Sequence, residues 1–182
     1  MLGHQRGVAV IALGGYARRE LCPASDVDVL LLHDGWHQTG LEALVERLCY
    51  PLWDARLSVG HAVRTPAEAV KDAGERIDSA TAVLDRRLVA GDGGLADALT
   101  SRVQRWVRRR GAALAVQLAA ADALRHQQDD THPGMLEPDL KGGAGGLRDI
   151  HSLRWVAGWM VGEVGLDPLV AAGYLGATDR RR

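Results

Sequence analysis

The sequence predicts an α+β chain, with strands and helices alternating over the first ninety residues and helices alone after them. Three observations carry this. Short β-branched apolar runs of strand length recur before residue 93, separated by segments of helical periodicity. From Leu95 to about Gln127 the chain is rich in Ala and Leu, with no Pro and a single Gly, the composition of one long helix or two abutting ones. Between Asp129 and Gly146 the composition breaks: Pro133, Gly134, Pro138 and four glycines from Gly142 to Gly146 mark a loop. The expected organisation is a core over residues 1–93 and a helical subdomain over 94–182, with a Gly-rich loop at 139–149.

Each element has its own signal. Val8 to Leu13 is a buried-strand run that ends at Gly14-Gly15, a tight turn. Tyr16 to Leu21 has room for one or two helical turns before Pro23, and Val27 to Leu32 is a second strand. A helix is expected from about Gly40 to Leu48, with Leu41, Leu44, Val45 and Leu48 on one face and Pro51 breaking or kinking it. Ser58 to Arg64 reads as a third strand. It runs into Thr65-Pro66-Ala67-Glu68, where Thr65 is the N-cap, Pro66 opens the first turn and Glu68 holds the capping-box position. A short helix over Ser79 to Asp85 and a strand over Arg87 to Ala90 follow. The last readable element is a helix from Leu147 to Val164, with Leu147, Ile150, Leu153, Trp155 and Val156 as its apolar positions.

Composition excludes several classes. With 47% hydrophobic and 25% charged residues, 182 residues are enough to bury a core without disulfide or metal staples. Lys and Arg number 22 against 23 Asp and Glu, so the basic excess of a general nucleic-acid binder is missing, and Arg108-Arg109-Arg110 reads as a solvated helix face. Cys22 and Cys49 lack metal spacing and read as free thiols of a reducing compartment. No apolar stretch reaches the roughly 18 residues of a membrane span, and Met1 to Arg6 lacks a secretory pattern. The expected location is cytoplasmic, with neither nucleic acid nor membrane as partner.

The chemistry concentrates in Gly14-Gly15 followed by Asp26-Val27-Asp28. Asp26 and Asp28, two apart on a strand, face the same side with Cα atoms about 6.6 Å apart. Neighbouring carboxylates repel unless they share a cation, and an all-oxygen set favours Mg²⁺, which binds substrate phosphates as well. The Gly pair offers backbone N–H groups, unobstructed by side chains, at the start of a short helix where phosphate is favoured. A Gly-Gly alone is a turn and an Asp-x-Asp alone a solvated strand edge; the specificity lies in their order, strand, Gly-Gly, short helix, Asp-x-Asp, strand. Further on, Lys141 supplies a point charge for phosphate, and Gly145-Gly146 precede another helix N-terminus. Arg148 has three potential partners, Asp149, Asp139 or a phosphate, and Asp149 suits the first helical turn whatever its function.

Gly14 to Leu21 (GGYARREL) and Ser25 to Leu32 (SDVDVLLL) resemble the nucleotidyltransferase superfamily that includes DNA polymerase β. More narrowly they resemble the bifunctional uridylyltransferase/uridylyl-removing enzymes that modify the nitrogen-signal protein PII. Tyr50-Pro51-Leu52-Trp53-Asp54 with Val59 to Thr65 resembles that family's third-strand region, and Asp139 to Ile150 (DLKGGAGGLRDI) its second glycine-rich signature. A minimal toxin–antitoxin-type nucleotidyltransferase matches the first motif but not these later ones. The resemblance implies a polymerase β-like mixed sheet with flanking helices. It implies transfer of UMP from UTP to a tyrosine of PII with release of pyrophosphate, AMP from ATP being the other option. It implies Asp26 and Asp28 as catalytic metal ligands for Mg²⁺, and Gly14, Gly15, Arg18, Ser25, Lys141 and Arg148 as nucleotide-binding residues.

Departures from the family pattern carry their own expectations. Ala17 and Arg19 stand where Gly is usual, which makes the turn less permissive. The third strand carries Gly60 and His61 where the superfamily often has a third carboxylate, so the general base stays open among His61, Asp54 and Glu20. Full-length relatives also carry an N-terminal helical segment, a phosphohydrolase domain with a His-Asp metal motif and two ligand-sensing domains. A chain of 182 residues has no room for these, and the removing activity is not expected of it. The alternative reading is a truncated, non-catalytic nucleotide-binding remnant or paralogue.

Overall fold

A computed structural model describes residues 7–23, 25–35, 38–128, 139–176 and 178, with the backbone alone at 38 and 39. The chain divides into two compact units, Met1–Val103 and Gln104–Arg182.

The first unit is built on a four-stranded mixed sheet of order β3-β2-β1-β4. Its strands are β1 (Val8–Leu13), β2 (Val27–His33), β3 (Val59–Arg64) and β4 (Arg86–Gly91). β1 pairs antiparallel with both β2 and β4, while β2 and β3 run parallel. The parallel pair needs a crossover, and α2 (Gln38–Asp54) supplies it. Leu44, Val45 and Leu48 of α2, together with Val63 of β3, pack against Val8, Val10 and Leu31 on one sheet face. The other face presents Ala9, Ile11, Leu30 and Leu32, all buried. The alternation in β1 and β2 is thus apolar on both sides, as a sheet covered on two faces requires.

Three further helices complete this unit's order: α1 (Gly14–Arg18), α3 (Pro66–Glu75) and α4 (Ile77–Leu84). α3 starts as its sequence dictates. Thr65 accepts the Glu68 N–H through its side chain, Glu68 accepts the Thr65 N–H, and Pro66 occupies the first turn. α1 begins at the Gly pair itself, two residues before the expected helix, and ends on Arg19 in the left-handed region at φ 63°. Pro51 does not stop α2, which runs one turn further to Asp54. The ring removes one N–H bond near the exposed end of the helix, and Pro51 still accepts from Ala55 N–H at 3.2 Å.

α5 (Gly93–Gln127) is a single helix of 35 residues. The division between units falls inside it, ten residues beyond the expected 93/94 boundary. Its start is anchored in the first unit: Gly94 N–H donates to Asp92 and Arg86 Nε to Thr100 Oγ1. Arg108, Arg109 and Arg110 are exposed on it, as a solvated face should be.

In the second unit α6 (Leu147–Met160) is four residues shorter than expected, and a short α7 (Asp167–Ala171) follows. Leu147, Ile150 and Leu153, expected as core positions, are 55%, 45% and 40% exposed. Trp155, another of the expected apolar positions, is buried, and so are Ala157 and Trp159. The reason is Gly111 of α5, where a Cβ would collide with the Trp159 carbonyl. This close backbone approach turns the Trp155–Trp159 side of α6 inward. Residues 129–138 of the expected loop lie outside the described residues.

Candidate active site

The register of the sheet brings the first motif together at one end. β1 ends where β2 and β3 begin, so Gly14 follows Leu13 out of the sheet beside Asp28. Asp28 is the register partner of Gly60 on β3. The two share a face, opposite to the one α2 covers. A Cβ built on Gly60 would lie 2.5 Å from Asp28 Oδ1, and one on Gly14 would lie 3.8 Å from Asp28 Oδ2. Two glycines therefore clear the space that the Asp28 carboxylate occupies. Asp26 and Asp28 are both exposed, with Asp26 in the residue preceding β2 rather than within it. Val27 N–H donates to the Ser58 carbonyl at 2.8 Å, which zips β2 to the start of β3 at this point.

The remaining predicted groups are engaged more locally than the sequence indicated. Gly14 N–H donates to the Asp85 carbonyl at 3.0 Å, so what Gly14 offers is room and a φ of +52°, not an N–H. Ser25 Oγ accepts the Cys22 N–H at 3.0 Å and closes the turn into β2. Arg18 places Nε on Glu20 at 2.6 Å and Nη1 on Asp85 at 2.5 Å, with its side chain only 12% exposed. Burial alone would lower the Arg18 pKa, but Glu20 and Asp85 outweigh it and raise it above the ordinary value. Arg18 is thus a half-buried bridge between carboxylates that fastens α1. Asp85 and Arg87 were not singled out in the sequence. Their signal was a run of charge, Asp85-Arg86-Arg87, between a helix and a strand whose neighbours are buried.

The second glycine-rich stretch belongs to the other unit and folds onto itself. Asp139 Oδ1 accepts the N–H groups of Lys141 and Gly142, at 2.9 and 2.8 Å. The first-turn N–H groups of α6 are all taken by loop carbonyls: Leu147 by Leu140, Arg148 by Lys141 and Asp149 by Gly146. Gly145 N–H goes to Asp149 Oδ2 at 2.7 Å. The donors of the helix N-terminus expected to favour an anion are thus satisfied within the loop. Arg125 of α5 clamps the loop through Asp149, Asp122 and the Gly142 carbonyl, and His126 Nε2 lies 2.9 Å from Asp149 Oδ1. Burial would raise the Asp149 carboxyl, but Arg125, the Gly145 N–H and His126 hold it at about 2. Asp149 is a structural anchor. Arg148 lies over the Trp155 ring, 5.9 Å from its centroid, while Lys141 is exposed.

Comparison with known proteins then bears on what this arrangement is for. The family model described as GlnD PII-uridylyltransferase matches residues 112–182. A bifunctional uridylyltransferase/uridylyl-removing enzyme of Streptomyces coelicolor is 42% identical over 151 residues, covering 83% of this chain and 18% of the relative. Its counterpart in Mycobacterium tuberculosis is 42% identical over 83% of this chain and 19% of its own length. That of Erythrobacter litoralis is 38% identical over 176 residues, 94% of this chain and 19% of the relative. The chain belongs to the PII-uridylyltransferase family. It spans about a fifth of the length of the relatives it matches.

For a member of this family the acid–base candidates sort by position. His61 sits one residue beyond Gly60 on β3 and so faces the α2 side, its ring 6.0 Å from that of Trp53. It is on the wrong face to act beside Asp28. Glu20 is engaged by Arg18, and Asp54 is exposed at the end of α2. Among the described residues no group of three or more His, Cys, Asp or Glu is arranged to hold a metal. The sequence does contain one His-Asp dipeptide, His33-Asp34. There His33 Nδ1 accepts the Gly35 N–H at 3.2 Å in the turn that ends β2. Among the described residues no helix is long and apolar enough to cross a membrane.

Proposed function

We propose that the first unit seats a nucleoside triphosphate against Gly14-Gly15 and transfers its nucleotidyl group to a protein hydroxyl. The observation that carries this is the Asp28 carboxylate, held in space cleared by Gly14 and Gly60 at the mouth of the Gly pair. The acceptor oxygen forms a bond to the α-phosphorus as the bond to the bridging oxygen breaks, pyrophosphate leaves with that electron pair, and the hydroxyl proton passes to water. The family name points to a uridylyl donor, UTP, and to the PII protein as acceptor; the motif resemblance adds a tyrosine as the hydroxyl, and ATP is the other donor to test.

The donor set suits Mg²⁺. Asp26 and Asp28 are exposed carboxylates two residues apart, and two protein oxygens with phosphate and water completing the shell is the arrangement this ion prefers. When bound, Mg²⁺ would neutralise charge on the phosphate oxygens. The chain's own part is positioning: Asp26 and Asp28 hold the cation, and α1 fixes where the phosphates sit.

The rival reading, a nucleotide-binding remnant without catalysis, has Gly60 in its favour, since it stands where the superfamily often places a third acid. Incubation with α-labelled UTP or ATP, Mg²⁺ and PII separates the two. Label on PII supports transfer; Mg²⁺-dependent nucleotide binding without label supports the remnant.

A further inference from the structure

We infer that Asp85 is a positioning residue for the nucleotide seat, holding both ends of α1 against Asp28; this rests on the reading of Gly14-Gly15 as that seat. Asp85 lies between α4 and β4 with its side chain only 4% exposed. Its backbone carbonyl accepts the N–H of Gly14, the first residue of α1, at 3.0 Å. Its carboxylate accepts Nη1 of Arg18, the last residue of α1, at 2.5 Å. Two residues on, Arg87 donates to the carbonyls of Tyr16 at 2.9 Å and Ala17 at 3.1 Å, with its guanidinium 5.2 Å from the centre of the Tyr16 ring. Four of the five residues of α1 are thus held from Asp85 and Arg87.

Such a grip is needed because a five-residue helix does not hold its shape alone. It ends, besides, on a non-Gly residue in the left-handed region, Arg19. An ion pair with both partners largely out of solvent fixes one geometry, and replacing Asp85 removes the contact that ties Arg18 to the junction of α4 and β4. Gly14 is the residue that borders Asp28. A loosened α1 therefore changes the spacing between the phosphate seat and the carboxylates, the distance on which in-line transfer depends. Asp85 acts through Gly14 and Arg18 and touches no reacting atom.

The test uses the full chain with Asp85→Asn and, from the other side of the pair, Arg18→Gln, which leaves β4 intact should the first variant fold poorly. Two quantities are read well below both melting temperatures: amide exchange at residues 14–19 without nucleotide, and the Kd for UTP and for ATP with Mg²⁺. Both variants are expected to exchange faster at 14–19 while β1 and β2 amides keep their protection. Kd is expected to rise about tenfold as the competent fraction of the seat falls. A lower melting temperature with unchanged exchange and unchanged Kd would overturn the inference, and faster exchange with unchanged Kd would overturn its link to nucleotide. If the wild-type chain binds neither nucleotide, the functional reading fails, and exchange alone decides whether Asp85 holds α1.

Discussion

Gly60 shows how a single missing atom shapes the site. A Cβ there would lie 2.5 Å from Asp28 Oδ1, and the atom it meets is the end of an exposed side chain, not backbone. Gly60→Ala is therefore expected to fold with little loss of stability while swinging Asp28 aside. Nucleotidyl transfer should fall about tenfold or more, because the carboxylate leaves its place by roughly an ångström; unfolding curves and transfer rates measured together check both halves. Arg19 makes the opposite case. It adopts φ 63° at the end of α1, where Gly is the usual family residue. Arg19→Gly should raise stability by about 1 kcal/mol by relieving the left-handed strain, read as a higher denaturation midpoint. Asp149 carries a pH dependence. Its folded-state pKa of about 2 lies below the value near 3.9 of an unfolded Asp, so its contribution is complete above pH 4 and is lost as pH falls from 4 to 2. The amount is up to about 2 kcal/mol, lessened by partial exposure. Asp149→Asn should flatten acid unfolding of the second unit across that window.

At the scale of elements, Gly111 decides how α5 and α6 meet. A Cβ at this position would collide with the Trp159 carbonyl, a backbone atom that cannot swing away. Gly111→Ala is thus expected to destabilise the second unit by about 2 kcal/mol, despite the better helix propensity of Ala, as thermal unfolding would show. The same contact explains a miss. Of the apolar positions expected on α6, Trp155 is buried but Leu147, Ile150 and Leu153 are exposed, because helical periodicity says which residues share a face and not which face a distant glycine admits. Local signals were legible where the cause is local. The Thr65–Glu68 capping box and the β1 run ending at Gly14 stand as read. Pro51 reads as a breaker but falls in the last turn of α2, where one lost bond is tolerated. The site was legible as a motif: Gly14 and Asp28 do meet. Its supports were not, because Asp85 and Arg87 act on residues some seventy positions away. Nor does spacing tell that the Gly145 N–H and the α6 N-terminus are consumed inside their own loop.

At the scale of the whole molecule, 22 basic against 23 acidic residues suit an enzyme acting on one nucleotide and one protein better than one that tracks a nucleic acid backbone. Alignments with the Streptomyces coelicolor and Erythrobacter litoralis relatives cover 83% and 94% of the chain and 18% and 19% of those proteins. Within that fifth lies a sheet end with the Gly pair and Asp28, which under the proposed function suffices for transfer. The most direct measurement is incorporation of label from α-labelled UTP, and separately ATP, into PII, with Mg²⁺, comparing the wild-type chain with Asp26→Asn plus Asp28→Asn. Mg²⁺-dependent labelling by the wild type is expected, with a loss of at least about a hundredfold in the double variant, the scale on which removing charge stabilisation from a transfer site acts. Labelling undiminished by the two substitutions would contradict it.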